Sequence, residues 1–135
     1  GFVFQTYNLL HRLTALGNVE LPLLYGSGHN GRRRALEALE RVGLGHRAHH
    51  RPAELSGGEQ QRLAIARALA VNPTVVLADE PTGDLDSATA KDIAQLLKGT
   101  AEQRKVAVVV ATHDVTFMPL ADRIQEIADG RLKAT

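Results

Sequence analysis

Apolar residues recur along the chain with two different periods. Helical spacing predicts helices over Arg32–Val42, from Ser56 to about Val71, and over Ser87–Lys98. Consecutive apolar residues, many of them β-branched, predict strands that are buried on both faces at Thr74–Ala78 and Val106–Ala111. Because strands alternate with helices, we expect an α/β fold with a mostly parallel sheet and crossover helices.

The first half of the chain lacks a convincing strand after its opening residues. Gly1–Phe4 is typical of a strand that is already under way, so we expect the sequence to be a fragment of a longer protein. A leucine-rich stretch from Leu9 to Tyr25 is interrupted at Pro22, and the glycine-rich segment 26–31 predicts a flexible loop. We therefore expect a helical insertion, from about Thr6 to Asn72, in an α/β core.

The C-terminal residues predict a short helix and a hairpin. Asp114–Arg123 has helical character, although Pro119 should start or kink the helix. Asp129-Gly130 is a turn sequence between two short segments, 124–128 and 131–134, and predicts a hairpin.

Composition narrows the possible functions. Sixteen Lys and Arg residues against fifteen Asp and Glu residues leave a net charge of +1, which gives no support for nucleic-acid binding through bulk charge. The chain has no cysteine, which excludes disulfides, thiolate metal sites and a thiol nucleophile. No apolar stretch approaches the ~20 residues that span a bilayer, and no signal peptide is visible.

Leu55–Arg62, with the sequence LSGGEQQR, begins one of the predicted helices. Ser56 and Glu59 have the spacing of a capping box, which alone predicts only a well-formed helix start. Gly57 and Gly58 each disfavour a helical turn by roughly 1 kcal/mol relative to alanine. Glycines at a helix N-terminus let backbone N–H groups approach a phosphate, so an anion site and a plain capped helix are both open.

Asp79 and Glu80 directly follow the predicted strand Thr74–Ala78. Ligands bind at the carboxyl ends of strands in open α/β sheets, so two acids there are suitably placed for ligand binding. Adjacent side chains of an extended chain point in different directions, which allows the two acids different roles. For the dipeptide alone, a solvated Asp-Glu pair at a strand end would be equally ordinary.

LSGGEQQR followed by LAIARAL closely resembles the signature motif of ABC ATPases. The resemblance runs from Gln5 to about Leu132 and implies an α/β, P-loop NTPase-like core with an inserted α-helical signature subdomain. In that family the signature contacts the γ-phosphate of ATP that is bound to the opposite subunit. The ATP-binding residues that this implies are Ser56, Gly57, Gly58 and Glu59.

The same resemblance implies roles for the acidic residues. TVVLADE at 74–80 is similar to a Walker B motif, in which Asp79 would help to hold Mg²⁺ and Glu80 would polarise the attacking water. PTGDLD at 81–86 is similar to the D-loop, which crosses the dimer interface and here contains Asp84 and Asp86. Related proteins usually have Asn where this chain has Asp84, and we expect the added carboxylate to alter Mg²⁺ binding or dimer energetics slightly.

Two more residues acquire a role through their order in the chain. His113, in the sequence ATHD, matches the switch histidine that contacts the γ-phosphate, whereas a lone histidine after a strand is usually a surface residue. Gln5 after FVF matches the Q-loop glutamine, which senses Mg²⁺ and water and faces the transmembrane partner. The resemblance thus implies Glu80 and His113 as catalytic residues and Asp79 with Gln5 at the Mg²⁺.

The phosphate-binding P-loop does not occur in the sequence. G-x-x-x-x-G-K-[ST] is absent, and the first lysine is Lys91. In the family this loop precedes the Q-loop, so we expect a partial ATPase domain in which residues 1–5 end a core strand and form the Q-loop. Residues 6–72 would form the helical subdomain and 73–135 the remaining core. We expect the chain alone neither to bind ATP tightly nor to hydrolyse it.

The resemblance implies an ATP-binding and ATP-hydrolysing subunit of a membrane transporter. Two identical subunits would bind ATP and Mg²⁺ head to tail at the cytoplasmic face of the membrane and drive a transmembrane permease, which makes the only membrane contact. NLL at 8–10, LPLLY at 21–25 and PTG at 81–83 are most similar to the lipoprotein-release and macrolide-export types. We therefore expect export or lipoprotein release, with no nucleic-acid partner.

Two alternatives stay open. Soluble ABC ATPases of DNA repair or chromosome organisation carry a long coiled coil between the Q-loop and the signature, whereas Gln5 and Leu55 lie only fifty positions apart, without sustained heptads. Translation-type members usually carry Asn-His where this chain has Gly83-Asp84. The other alternative is a truncated, non-catalytic chain that contributes only interactions.

Overall fold

The computed structural model describes residues 1–25 and 30–134 of the chain. These residues form a parallel sheet, four α-helices and a small antiparallel hairpin. The elements are, in chain order, β1 (Phe2–Val3), α1 (Ala15–Leu23), α2 (Gly31–Arg41), α3 (Gly57–Ala70), β2 (Val75–Asp79), α4 (Ser87–Arg104), β3 (Ala107–Ala111), β4 (Ile127–Ala128) and β5 (Arg131–Leu132).

β2 is the central strand of a three-stranded parallel sheet, with β1 on one side and β3 on the other. Val3 aligns with Ala78, and Asp79 aligns with Ala111, so the carboxyl ends of β2 and β3 lie side by side. The crossover from β2 to β3 runs through α4, as parallel strands require. The predicted α/β fold is confirmed, and no strand lies in the described residues between β1 and β2.

The prediction that the strands are buried on both faces is wrong. In β2, Val76 and Ala78 belong to the hydrophobic core, whereas Val75 and Leu77 are 41% and 44% exposed. Val109 of β3 is 55% exposed. Successive side chains of a strand point to opposite faces of the sheet, and within the described residues only one of these faces is covered. The apolar run therefore identified the strands correctly but not their surroundings.

Helix α3 connects the helical part of the chain to the sheet. It contacts α1 and α2 as well as β1 and α4. Leu63 and Ile65 have no exposed surface, and the residues beside them, Ala64 and Ala66, are equally buried. A helix that is apolar on most of its circumference belongs in the interior of a domain. The part of the chain that follows LSGGEQQR is thus the main internal support of the fold.

Helix α1 continues past the residue at which we expected an interruption. Pro22 lies inside the helix, which ends at Leu23. Proline removes one N–H donor from a helix, and the loss is tolerated here because only one helical residue follows. Asn18, buried in the same helix, accepts a hydrogen bond from the Leu10 N–H at 2.8 Å and donates one to the Leu10 carbonyl at 3.0 Å. This pair of bonds fixes the turn that precedes α1.

The remaining helices differ from prediction mainly at their ends. α2 ends before Gly43, whose φ of +78° suits the expected glycine stop. α4 extends beyond Lys98 to Arg104, and Thr100 is buried in this added part of the helix. The loop predicted at 26–31 falls largely on residues 26–29, outside the described residues, and Gly31 already begins α2.

The C-terminal segment contains a shorter helix than expected. Val115–Leu120 forms a 3-10 helix with Pro119 inside it, since proline lacks the N–H that a longer α-helix would use. The hairpin is confirmed: Asp129 and Gly130, with φ of +52° and +74°, join β4 to β5 as a primed turn requires. Among residues 1–25 and 30–134, no helix has the length and apolarity to cross a membrane.

Candidate functional site at the carboxyl edge of the sheet

The ends of β2 and β3 bring two predicted site residues together. Asp79 ends β2, and its partner in the register is Ala111, the last residue of β3. Glu80 continues from β2 and donates its backbone N–H to the Ala111 carbonyl at 2.8 Å. Thr112 and His113 follow β3 directly. The parallel register therefore places the acidic pair beside the histidine.

The Glu80 carboxylate accepts three contacts from the turn after β3. It lies 3.0 Å from the Thr112 hydroxyl, 3.2 Å from the His113 backbone N–H and 2.8 Å from His113 Nδ1. Glu80 itself has a φ of +43°, a left-handed conformation that is strained for a non-glycine residue. Such strain persists where the surroundings hold the residue, and these three contacts do so.

The imidazole of His113 is held on one side and open on the other. Its side chain is 91% exposed, whereas that of Glu80 is 23% exposed. A neutral ring that donates Nδ1–H to the carboxylate leaves Nε2 as an acceptor, and a protonated ring makes Nε2 a donor. The pair can therefore accept a proton or offer a donor to an anion in front of the sheet edge.

The turn after Glu80 is fixed to the residue after His113. Thr82 is buried, and its hydroxyl donates to Asp114 Oδ2 at 2.6 Å. The pKa of Asp114 is lowered by hydrogen bonds from Thr116 and from Thr82. The backbone N–H of Gly83 donates a hydrogen bond to the Glu80 carbonyl at 3.1 Å. The segments that follow β2 and β3 thus form one connected surface.

Gln5 lies against this surface. It follows β1, and a Cβ added at Gly83 would come within 2.6 Å of Gln5 Nε2. Gly83 is therefore required for the Gln5 carboxamide to approach the turn after Glu80 so closely. The Gln5 side chain thus lies beside the turn that follows Glu80.

Ser56 and Glu59 form the predicted capping box at the start of α3. Ser56 Oγ accepts from the Glu59 N–H at 3.2 Å, and Glu59 Oε1 accepts from the Ser56 N–H at 3.0 Å. The hydrogen bond from the Ser56 backbone is the main cause of the lowered pKa of Glu59, to which Arg47, at 3.5 Å, also contributes. The helix start is well defined, and Ser56 and Gly57 are exposed there.

The two glycines of the signature have different surroundings. Gly58 is buried, and a Cβ at this position would clash with Thr89 of α4. Gly57 is exposed, and a Cβ there would lie 3.3 Å from the Tyr7 hydroxyl and 3.4 Å from the Leu85 side chain. The sequence alone leaves phosphate approach open as a reason for both glycines, and the structure adds a packing reason at Gly58.

Sequence reasoning missed three residues that connect the motifs. Tyr7 lies beside Gly57, and its pKa is raised by burial and by the charge of Asp84. Gln61, with no exposed surface, donates Nε2 to the Pro81 carbonyl at 2.5 Å. Arg67 donates to the backbone that follows Gln5. Arg67, a charged residue within the apolar run LAIARALA, was the one available signal.

The signature is separate from the acidic pair within this chain. No hydrogen bond or ion pair in residues 1–25 and 30–134 joins Ser56–Glu59 to Asp79, Glu80 or His113. Asp84 and Asp86 are exposed between these two regions, and Asp86 occupies the N-cap position of α4. The Asp86 pKa is lowered, chiefly by the Thr89 hydroxyl.

The acidic pair fits Mg²⁺ bound together with phosphates better than a metal held by protein alone. In the described part of the chain, no three His, Asp or Glu side chains come together as a metal site. Mg²⁺ typically takes one or two carboxylates, and phosphates and waters complete its octahedron. Asp79, exposed at the end of β2, with the Gln5 carboxamide close to the following turn, supplies oxygen donors of that kind.

Comparison with known proteins identifies the family. A family model described as "ABC transporter" matches residues 1–83. An uncharacterised ABC transporter ATP-binding protein of Thermotoga maritima is 55% identical over 98% of this chain and 57% of its own length. The lipoprotein-releasing system ATP-binding protein LolD of Pseudomonas fluorescens is 50% identical over 99% of this chain and 60% of its own length.

A solved structure agrees with both sequence matches. The ATP-binding cassette MJ0796, in a dimeric post-hydrolysis state bound to ADP and Pi, superposes with a TM-score of 0.84 at 49% identity. The match covers 99% of this chain and 60% of that structure's chain. The chain thus spans less than two thirds of the length of these relatives. Within that span, the family model, the superposition and the order of the motifs all indicate the same family. We conclude that this chain belongs to the ABC transporter family, as part of its ATP-binding cassette.

Proposed function

We propose that the chain is part of an ATP-hydrolysing subunit that drives a membrane transporter. The observation that carries the proposal is the contact of Glu80 with Thr112 and His113 beside Asp79, at the carboxyl edge of a parallel sheet. The relative LolD, a lipoprotein-releasing system ATP-binding protein, supports lipoprotein release or export as the process that is driven.

In this proposal the side chains at the sheet edge have different roles in ATP hydrolysis. Asp79 and Gln5 would hold Mg²⁺ with the nucleotide, Glu80 would orient the attacking water, and His113 would present Nε2 to the γ-phosphate. Bound Mg²⁺ would neutralise charge on the phosphates. The 2.8 Å contact between Glu80 and His113 favours a proton on Nδ1, so Nε2 accepts when the ring is neutral and donates to a phosphate oxygen when the ring is protonated.

The signature residues Ser56, Gly57, Gly58 and Glu59 serve the ATP of a second subunit in this proposal. The exposure of Ser56 and Gly57 at the start of α3, and the separation of the signature from the acidic pair, support a role between two copies of the protein. A helix N-terminus with free N–H groups suits a phosphate. The dimeric state of MJ0796 supports a homodimer, in which Asp84 and Asp86 lie at or near the interface.

The open face of the sheet supports the proposal that the active domain is larger than this chain. Val75, Leu77 and Val109 are exposed there, and an exposed apolar patch of this kind is usually covered in a stable domain. We propose that a segment with the P-loop covers it, since the relatives extend beyond the span of this chain. The chain alone would then not hydrolyse ATP, and micromolar Mg-ATP affinity in a titration of the isolated chain would contradict this.

We also propose that the partial ATPase domain divides into residues 1–5 (end of a core strand and Q-loop), 6–72 (helical subdomain) and 73–135 (remaining core). Helix α3 belongs to the helical subdomain and packs against both helical and sheet elements. In the helical part, Leu10 and Tyr25 are 47% and 88% exposed, which supports a surface for a permease at the cytoplasmic face of the membrane. The subunit would contact the membrane only through that permease.

The experiment that tests the proposed function is Glu80→Gln in the full-length gene product that contains this chain. Loss of the carboxylate that orients water should lower ATP turnover by roughly 10²–10⁴-fold, while ATP binding persists. Glu126→Gln, an exposed acid paired with Lys133 in the hairpin, is the matched control and should retain wild-type turnover. Unchanged turnover in Glu80→Gln would contradict the role of Glu80.

A further inference from the structure

The backbone that follows Gln5 is strained at two consecutive residues. Tyr7 and Asn8 have φ of +66° and +50°, in the left-handed region, and neither is glycine. Two short hydrogen-bonded turns close this segment: the Tyr7 N–H donates to the Phe4 carbonyl at 3.3 Å, and the Asn8 N–H donates to the Thr6 carbonyl at 2.8 Å. Strained conformations of this kind persist only where the surrounding structure holds them.

Arg67 of α3 holds both strained residues. Its Nη1 donates to the Asn8 carbonyl at 2.7 Å, and its Nη2 donates to the Tyr7 carbonyl at 2.9 Å. The guanidinium is partly buried, and the bond to the Tyr7 carbonyl forms where water competes less well, whereas the bond to the Asn8 carbonyl is exposed. The planar fork of arginine holds two N–H donors at fixed positions toward two adjacent acceptors, whereas the three N–H donors of a lysine ammonium group rotate on a shorter, flexible side chain.

The same helix also holds the residue before Gln5. Gln61 Nε2 lies 3.4 Å from the Phe4 carbonyl and also donates to the Pro81 carbonyl. α3 is therefore bonded to the chain on both sides of Gln5 and to the segment after Glu80. The Gln5 side chain in turn packs against Gly83.

We infer that Arg67 is a positioning residue for Gln5, whose carboxamide it keeps over the turn that follows Glu80. The inference rests on the proposed function, in which Gln5 acts at the ATP site. Because α3 begins at the signature, Arg67 also links two sets of residues that serve different ATP molecules. A displacement of the signature helix would reach Gln5 through this guanidinium.

Arg67→Lys in the full-length gene product tests the inference. It keeps the charge and three N–H donors but lacks the planar fork that reaches both carbonyls from fixed positions, so the Gln5 segment should loosen. We expect kcat for ATP hydrolysis to fall by roughly ten- to a hundredfold, as small misplacements of a reacting group do, with KM for ATP within about twofold of wild type. Arg34→Lys is the matched control, since Arg34 donates from α2 to a single backbone carbonyl, that of Ala70.

A double-mutant cycle with Gln5→Ala separates positioning from other roles. If Arg67 acts through Gln5, Gln5→Ala with Arg67→Lys should be no slower than Gln5→Ala alone. Losses that multiply in the double variant, or an equal loss in Arg34→Lys, would overturn the inference. If Arg67→Lys lowers Tm to the assay temperature, Arg67→Gln is measured in its place. Failure of both variants to fold would show that Arg67 is required for the fold and would contradict a positioning role.

Hydrogen exchange of backbone amides in the same proteins measures the stability of the segment after Gln5 without requiring ATPase activity. The N–H groups of Tyr7 and Asn8 should exchange about tenfold faster or more in Arg67→Lys than in wild type, and those in Arg34→Lys should not change. Unchanged exchange at both residues would overturn the inference. Absence of ATPase activity in the wild-type protein would instead contradict the proposed function, and the exchange rates would still decide whether Arg67 holds this segment.

Discussion

Gly57 and Gly58 are adjacent in the chain but meet different surroundings. Gly57 is exposed beside Tyr7 and Leu85, so its backbone N–H can be approached from outside. Gly58 is buried, and α4 passes so closely that Thr89 occupies the space of a Cβ. A β-branched side chain has few rotamers with which to move away. Adding one methyl group should therefore affect stability much more at Gly58 than at Gly57.

We predict that Gly58→Ala destabilises the fold by about 1–3 kcal/mol, the usual cost of overpacking, in spite of the better helix propensity of alanine. Gly57→Ala should leave the free energy of unfolding within about 1 kcal/mol of wild type. Denaturant unfolding of the two variants measures this difference. Equal stabilities would contradict the packing role that we give to Gly58.

The separate side chains at the sheet edge were predictable from sequence, and their connections were not. Asp79 and Glu80 were singled out because they follow a run of apolar residues that forms a strand, and His113 because its ATHD context resembles that of the family. Thr89 against Gly58 and Arg67 against Tyr7 join residues that are far apart in the chain. No local pattern reports such tertiary contacts, since they depend on how helices pack.

Helix α3 combines three tasks in one element. Its capping box fixes the signature, its apolar middle fills the core, and its polar Gln61 and Arg67 hold the segment around Gln5. At its start, Glu59 accepts the Ser56 N–H and lies 3.5 Å from Arg47. These contacts favour the ionised form of Glu59 and lower its pKa, so they connect helix stability to pH.

We predict that Glu59→Gln reduces the loss of stability in acid. A carboxyl whose pKa is lowered in the folded state stabilises the fold above its ordinary pKa, about 4.3, and loses that contribution as pH falls through the folded value. Glutamine can keep the capping box without the charge. Unfolding free energies measured from about pH 6 to about pH 3 should fall less steeply in the variant. Parallel curves would contradict this role.

The sequence predicted which helices and strands occur more accurately than it predicted where each one begins and ends. The helices, the parallel strands and the hairpin follow from periodicity and turn residues. The end of α1 beyond Pro22 and the length of α4 beyond Lys98 depend on local hydrogen bonding and on packing that extends past the apolar repeat. The exposure of one face of β2 was not predicted, because a run of apolar residues carries no information about which other elements cover that face.

In the proposed function, the described residues carry parts of an ATP site that are completed by a second subunit. Asp79, Glu80, His113 and Gln5 gather at the carboxyl edge of the sheet, while Ser56 and Gly57 lie exposed at the start of α3. If the signature serves a second subunit, each ATP site takes its acidic residues from one copy and its signature from the other. Two variants that are inactive for different reasons should then complement each other.

Mixing Gly57→Asp and Glu80→Gln subunits of the full-length gene product tests this most directly. Aspartate near a helix N-terminus favours the helix but repels a phosphate, so each variant should fold and be nearly inactive alone. Half of randomly mixed dimers are heterodimers with one intact site of two, so co-expression should restore about a quarter of wild-type ATPase activity. Activity no higher than that of the two variants measured separately would contradict a signature that acts between subunits.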